Sequence, residues 1–457
     1  MRNLKRALSL LLAAIMLVGM MVVGASAADV YDSFADKDEI VNKDAVNLLT
    51  ILEIINGKED GSHFAPKDGV TRSEMAKMIS VVLNKGRDNN DLYKNANTAL
   101  TDISGHWAAG HINFCYQAGI IAGRGDNKFC PDEPVTASEA AKMLLVAAGY
   151  DPEIEGFVGA NWAMNVNISA AAQGIYDNYT GDVMANLNRD DAALLIYNAL
   201  DVEMIESYTA NNYSQRYEDH RTILSSMYGV YKMKGVVIGN EWAQLEKTGI
   251  DDVLANGRTR VADISTYTSN TQATNTLPSD WQNVLGTTRT FNVSTPVNYL
   301  GKTVTMYIRK TTVLNDYEVL GVYLRDVDND IVVKDASQST TDALKGEGLK
   351  VDKDTEYYVN YGYARENDPE AKKHLGWSGK ANGIDMELID NDLDGAVDYV
   401  LYLKRDLVVV NTTREDVILR GYNNNKAIDE DIIVTDLDLT AGDVVLAVTY
   451  GGRWYIE

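Results

Sequence analysis

The chain has 457 residues, 66 of them acidic against 42 basic, a formal charge of −24 and 45% hydrophobic side chains. At about 150 residues per domain this is room for about three compact units, and the composition excludes both wholesale disorder and a polytopic membrane protein. The acidity also excludes nonspecific nucleic-acid binding, which needs clustered Lys and Arg to release counterions; it suits solubility or recruitment of divalent cations.

Arg2, Lys5 and Arg6 precede an apolar run over residues 7–23 that closes on Ala25-Ser26-Ala27. This predicts a secretory signal peptide over residues 1–27, with an uncleaved membrane anchor as the alternative. No later stretch approaches the ~18 apolar residues of a membrane span. Cys115 and Cys130 are too few for a disulfide scaffold, leaving either one bridge or two small buried hydrophobes. HExxH, GxSxG and CxxC are missing, and His106 and His111 do not share a helix face as a zinc pair does. No catalytic residue is assigned.

From residue 30 to about 202 the chain repeats itself. IINGKEDGSHFAPKDGVTRSEMAKMI over residues 54–79 aligns with IIAGRGDNKFCPDEPVTASEAAKMLL over residues 120–145. Gly57 answers Gly123, Phe64 answers Phe129, Pro66 answers Pro131, and Thr71, Glu74, Lys77 and Met78 answer Thr136, Glu139, Lys142 and Met143. A third, eroded copy has Asn161-Trp162-Ala163 where the second has His106-Trp107-Ala108, followed by LNRDDAALLIYNAL. The repeats divide as residues 30–95, 96–155 and 156–202.

Thr71-x-x-Glu74 and Thr136-x-x-Glu139 are capping boxes directly before an apolar stripe, so each predicts a helix start. Val70 and Met75 are placed as a hydrophobic staple, and Met75, Met78, Ile79 and Val82 follow the helical period. Asn188 and Asp191 form a weaker box. A helix before each loop has Ile112, Cys115, Tyr116 and Gly119 on its buried face in the middle copy. Two helices and a Gly/Asp-rich loop cannot bury both faces alone, so the three units are expected to pack together.

Arg72 and Arg189 fall on the first helical position, where the macrodipole disfavours a cation; an anion seated on the free helix amides accounts for both. The alternative is a solvated surface arginine. Trp107 and Trp162 recur just before the first helix of their units, either as core or as platforms on which a sugar ring stacks beside a cation.

These motifs resemble the S-layer homology (SLH) module: HWA at 106–108, GII at 119–121, DGSHFAP at 60–66 and VTRSE at 70–74. The resemblance covers about 170 residues and implies an all-α pseudo-trimer that binds secondary cell-wall polysaccharide, often pyruvylated, in grooves between units. It further implies that Arg72 and Arg189 contact the polymer and that Trp107 and Trp162 line the grooves. The first copy departs from the pattern at Ile40-Val41, the second at Ala137 in place of the motif arginine, and the third lacks the Phe-x-Pro loop. Arg124 and Lys128 are candidates to supply the cation missing at Ala137, against the plainer reading of solvated loop charges.

Beyond about residue 205 the pattern alternates, and GVYKMKGVVIGN, RTFNVSTPVNYLGKTVTMYIRK, YEVLGVYLRDV and GDVVLAVTYGGRWYIE read as half-buried strands. Residues 208–457 are therefore expected to be mostly β, as one or two barrels or sandwiches, giving an α+β multidomain chain; residues 265–280 read as a loop. Asp390, Asp392, Asp394 and Asp398 with Gly395 have the spacing of a calcium loop, but Leu401 replaces the bidentate Glu and the flanks read as strands, so a metal-free acidic hairpin turn is the alternative. Asp326, Asp328 and Asp330 repeat that spacing without the glycine and read as a plain acidic turn.

The functional expectation is an exported protein held noncovalently at the cell wall by secondary polysaccharide, its β region serving structure or interaction, with further copies of itself in a surface layer as a candidate partner. The alternatives are an anchored exoenzyme acting on polysaccharide or peptide, with paired carboxylates in the β half, and a calcium-dependent surface assembly subunit.

Overall fold

The structure, a computed structural model, describes residues 30–58, 61–245, 253–266, 279–312, 316–335, 340–363, 384–414, 416–421, 427–428, 433–434, 439–450 and 453–456. The expected signal peptide over residues 1–27 lies outside the described residues, as does most of the loop expected over residues 265–280. Among the described residues no helix is long and apolar enough to cross a membrane.

Each repeat contributes two main helices: α1 (Lys43–Ile51) and α2 (Arg72–Leu83), then, after the short α3 (Asn90–Tyr93), α4 (Ala109–Gln117) and α5 (Ala137–Ala147), and finally α6 (Trp162–Ala172) and α7 (Arg189–Leu200). The capping boxes form as read. The Thr71 hydroxyl accepts from the Glu74 amide at 3.2 Å while the Thr71 amide donates to Glu74 at 2.8 Å, and Thr136 and Glu139 do the same at 3.3 and 3.1 Å. Asn188 accepts from the Asp191 amide at 2.7 Å. Each such cap contributes about 1 kcal/mol. Val70 and Met75 are fully buried. Gly119 departs from its expected place: it is exposed with φ 73° and ends α4 in the left-handed conformation that glycine adopts without a Cβ penalty.

The three helix starts meet one another. The Val70 amide donates to Leu187 O at 2.9 Å, Leu187 to Val135 O at 2.9 Å, and Val135 back to Val70 O at 3.0 Å, closing a ring with one member from each repeat. Around it, the first two amides of every second helix find carbonyls of a neighbouring repeat: Arg72 and Ser73 on Glu133 and Pro131, Ala137 and Ser138 on Ala185 and Val183, Arg189 and Asp190 on Asp68 and Pro66. Helix amides without an intrahelical partner need acceptors, and here the adjacent repeat supplies them.

The second half is built from strands, which makes the chain α+β. An antiparallel sheet of five strands runs β3-β2-β1-β4-β5, with β1 (Val230–Gly239), β2 (Thr259–Thr266), β3 (Arg289–Phe291), β4 (Thr303–Lys310) and β5 (Tyr317–Leu324). A larger sheet is organised on a 16-residue strand (Tyr399–Arg414) that pairs antiparallel with Ile384–Asp390, Asp416–Gly421 and Val444–Tyr450, and parallel with Glu356–Val359. The alternation of apolar side chains places one cluster, including Met233, Met306, Tyr358 and Leu401, across both sheets.

The helical core continues into the β half. The cluster that runs from Phe34 to Ile223 includes Tyr307, Leu320 and Tyr323 of β4 and β5. Polar contacts reinforce it: Asn47 donates to the Tyr323 hydroxyl at 3.1 Å, Lys232 pairs with Asp201 at 2.6 Å, the Tyr197 and Tyr307 hydroxyls bond to each other, and Arg325 donates to Tyr197 and lies 4.0 Å from Asp44.

Candidate functional site

Arg72 and Arg189 do not wait for an external anion. Arg72 is buried; its Nε donates to Phe129 O at 2.9 Å, Nη1 to Glu139 at 3.1 Å and Nη2 to Ala122 O at 3.4 Å, and the guanidinium stacks 4.6 Å from the Phe129 ring centre. Arg189 repeats the arrangement one step around the ring, donating to Phe64 O at 2.9 Å and Asn56 O at 3.1 Å and stacking 5.1 Å from Phe64. Glu139 supplies the anion for Arg72, two carbonyls take that place for Arg189, and the first amides of both helices are already on carbonyls. The loops that receive the arginines are themselves fixed: Asp36 accepts from the Phe64 and Ala65 amides, and Asp102 from the Phe129 and Cys130 amides, at 2.7–2.8 Å. Burial acts to raise the pKa of both carboxyls, but the amide donors outweigh it and hold both below the ordinary range.

This geometry explains a departure that one repeat viewed alone leaves puzzling. Each arginine stacks on the Phe-x-Pro loop of a different repeat from its own. The third repeat has no such loop, so the arginine that would face it, at position 137, has no ring to cover. Ala137 there is buried, with its amide on Ala185 O.

Trp107 is 52% exposed and Trp162 is half-buried, which makes both accessible rings. Each faces a lysine from another repeat: Lys77 Nζ lies 5.9 Å from the Trp107 ring centre and Lys142 Nζ 5.7 Å from that of Trp162. Trp162 and Lys142 line a groove of about 500 Å³ together with Arg72, Arg124, Glu139 and Phe157. Arg124 is thus in the groove that already has an arginine, where it pairs with Glu133 and Glu139, and away from the contacts of Ala137. Lys128 is an exposed residue of the same loop. The lysines were not singled out from the sequence as site residues, although their match between the first two copies was the available signal. Burial lowers the pKa of Lys142, and neither Lys77 nor Lys142 is ion-paired among the described residues.

His106 bonds to Asp132 at 3.1 Å, whereas His111 is buried against Ser80 and Asn89, so the two histidines serve separate places. Cys115 and Cys130 are not bonded to each other; burial pushes the Cys115 thiol up.

The acidic motif forms the hairpin turn between two strands, as its flanks predict. Asp390, Asp392 and Asp398 bring oxygens within 4.8 Å of one another, while Asp394 stands outside that cluster and accepts from the Ala396 amide at 2.7 Å. Asp390 is buried and accepts from the Leu393 and Gly395 amides at 2.7 and 2.8 Å. Asp328, read as part of a plain acidic turn, lines the adjoining cavity and pairs with Lys234. Burial, then the charges of Asp392, Asp390 and Asp394, push the Asp398 carboxyl up to about 6 in spite of the Asn391 amide. Its folded pKa exceeds its unfolded value near ~3.9, so the native state holds the proton longer. Stability is therefore fully present below about pH 4 and declines as pH rises through 6. Discounted for partial exposure, the expected decline is on the order of 1 kcal/mol. Thermal unfolding at pH 5 and pH 7.5 checks this: Asp398→Asn is expected to flatten the difference, and superimposable pH profiles would refute the assignment.

A cleft in the β half is lined by Asp385, Glu387, Lys302, Arg405 and Trp242. Its two carboxylates lie two residues apart on one strand, but Asp385 is paired with Arg405, and Glu387 with Lys302 at 2.7 Å. A glycoside-hydrolysing pair needs both carboxyls available to substrate, and here each is engaged by a basic side chain.

Two of the repeats match a known domain. Residues 33–76 and 99–141 match the S-layer homology domain. The chain is similar to a cell surface protein of Thermoanaerobacter kivui, with 28% identity over 207 residues, 45% of this chain and 26% of that protein. It is also similar to a surface layer protein of Brevibacillus choshinensis, with 24% identity over 383 residues, 78% of this chain and 33% of the relative. An amylopullulanase of Thermoanaerobacterium thermosulfurigenes is 31% identical over 191 residues, 38% of this chain and 10% of the enzyme. The chain spans about a third or less of the length of these relatives. It is a protein that contains S-layer homology domains and resides at the cell surface.

Proposed function

We propose that the chain anchors itself noncovalently to the cell wall by binding an acidic secondary wall polysaccharide in the grooves between its helical repeats. The observation that carries this reading is an accessible indole facing, in two grooves, a lysine without an ion pair among the described residues: an apolar ring for the C–H face of a sugar and a cation for an acidic substituent. We further propose that the repeats over residues 30–95, 96–155 and 156–202 act as one pseudo-trimer, a reading supported by the hydrogen-bonded ring of Val70, Val135 and Leu187. Residues 208–457 serve structure or interaction and carry no catalysis, a reading supported by the ion-paired state of Asp385 and Glu387. Copies of the same chain in a surface layer are the proposed lateral partners.

Cosedimentation of the full mature chain with purified sacculi tests the anchoring. Binding is expected to disappear when the secondary polysaccharide is extracted; binding to extracted sacculi at full strength would point to peptidoglycan instead.

A second reading concerns calcium. The three clustered carboxylates of Asp390, Asp392 and Asp398 are hard oxygen donors, and we propose a weak divalent-ion site there. Millimolar calcium is expected to raise the melting temperature at pH 7.5 in the native chain and not in Asp392→Asn/Asp398→Asn; an equal rise in both sinks the site.

A further inference from the structure

We propose that the chain has two seats for an acidic sugar, Lys77–Trp107 and Lys142–Trp162, and that the third equivalent position has been converted into the joint that fixes the β half. The inference rests on the anchoring reading above and specifies its valency and its cations.

One groove takes Arg72 from the first repeat, Phe129, Glu139 and Lys142 from the second, and Trp162 from the third. The next takes Arg189 from the third repeat, Phe64 and Lys77 from the first, and Trp107 from the second. Continuing the rotation, the remaining groove has Ala137 from the second repeat, Leu194 at the lysine position of the third, and Val41 at the tryptophan position of the first. The three departures, which look scattered when each repeat is read alone, fall in one groove. Lysine and tryptophan are also lost together there, as expected if the pair works as a unit.

That groove is bordered by the β half and remains an open cleft of about 630 Å³. Val41 and Leu194 line a cleft that Lys232, Arg325 and Val327 of the β half also line. Beside it, Lys232 pairs with Asp201 and Arg325 approaches Asp44. The other two grooves keep an accessible indole, and their lysines make no ion pair among the described residues. Their arginines are committed to Phe rings and carbonyls, so the lysines are the cations left for a ligand. Glu139 stands one helical turn before Lys142 but is occupied by Arg72 and Arg124. An ammonium over the face of an indole is a weak contact when exposed, and it leaves the cation able to pair with a carboxylate that a stacked sugar brings in.

Calorimetric titration of the full mature chain with short oligosaccharides cut from the secondary polysaccharide of purified sacculi tests the proposal. Two sites per chain are expected. Lys77→Ala or Trp107→Ala is expected to leave one, as is Lys142→Ala or Trp162→Ala, and Lys77→Ala/Lys142→Ala is expected to weaken binding at least tenfold at unchanged melting temperature. Oligosaccharides with their carboxylates reduced to alcohols are expected to lose the same factor. Val41→Trp, a substitution at a position 82% exposed, is expected to leave the stoichiometry at two; a third site in that variant overturns the joint. One or three sites in the unaltered chain, or undiminished binding in the double lysine variant, overturns the seats and leaves anchoring standing. No binding of the unaltered chain overturns both.

Discussion

Arg72→Ala is expected to lower the stability of the helical half by about 3 kcal/mol, or roughly 8 °C in melting temperature. The guanidinium is 4% exposed and satisfies two carbonyls and a carboxylate while covering the Phe129 ring. Truncation leaves Phe129 O and Ala122 O without their donor and opens a gap over the ring, and groups desolvated without a partner are destabilising. Arg124 remains on Glu139, which keeps the loss toward the lower end for a broken buried pair. The same substitution is expected to remove the proposed seat at Lys142–Trp162, whose groove Arg72 lines, and to leave the one at Lys77–Trp107. The diagnostic comparison is Lys142→Ala, at a half-buried position with no ion pair, where stability is expected to change by less than ~0.5 kcal/mol while the seat is lost. Calorimetry with parallel sacculus binding separates the two. If Arg72→Ala kept its melting temperature and lost only binding, the arginine would be a ligand-contacting residue after all.

The features legible in the sequence were those written within a single repeat. Capping boxes, staples and strand alternation are local, and Thr71, Glu74, Thr136, Glu139 and the strands beginning at Val230, Thr303 and Tyr317 stand where the pattern places them. Contacts between repeats were not legible, because a repeat alignment compares equivalent positions and does not say which copy faces which. Arg72, a cation at a helix start, does need acceptors, as the dipole requires. Its acceptors, Phe129 O, Ala122 O and Glu139, lie 50–67 residues away in sequence, where no local pattern points to them. Lys77 and Lys142 were visible as matched positions, but a surface lysine on a helix has no signature until an indole from another repeat is seen beside it. The calcium spacing had the opposite failing, since four aspartates on a regular spacing produced a cluster of three, with Asp394 turned to its own loop amide.

Lys232→Met is expected to loosen the two halves, at a loss of about 3–5 kcal/mol in the transition of the full chain. Lys232 is 4% exposed, bonds to Asp201 at 2.6 Å and lies 5.7 Å from the Tyr307 ring centre. Burial lowers its pKa while Asp201 opposes that shift, so the ammonium depends on its partner to remain charged. The second oxygen of Asp201 is buried with no hydrogen-bond partner among the described residues, and removal of the lysine leaves the carboxylate uncompensated. Lys232→Met/Asp201→Leu is therefore expected to recover at least half of the loss, since an apolar pair of similar volume carries no desolvation penalty. Differential scanning calorimetry reads the stability, and limited proteolysis reads the joint: accelerated cleavage near residues 201–230 is expected in the single variant and not in the double. An unchanged transition in Lys232→Met would mean that the shared apolar core of Tyr307, Leu320 and Tyr323 holds the halves by itself. The recovery in the double variant decides a further point. If it restores stability and slow proteolysis together, the ion pair sets the alignment of the halves without being their main source of cohesion, and the shared core of Tyr307, Leu320 and Tyr323 supplies the rest.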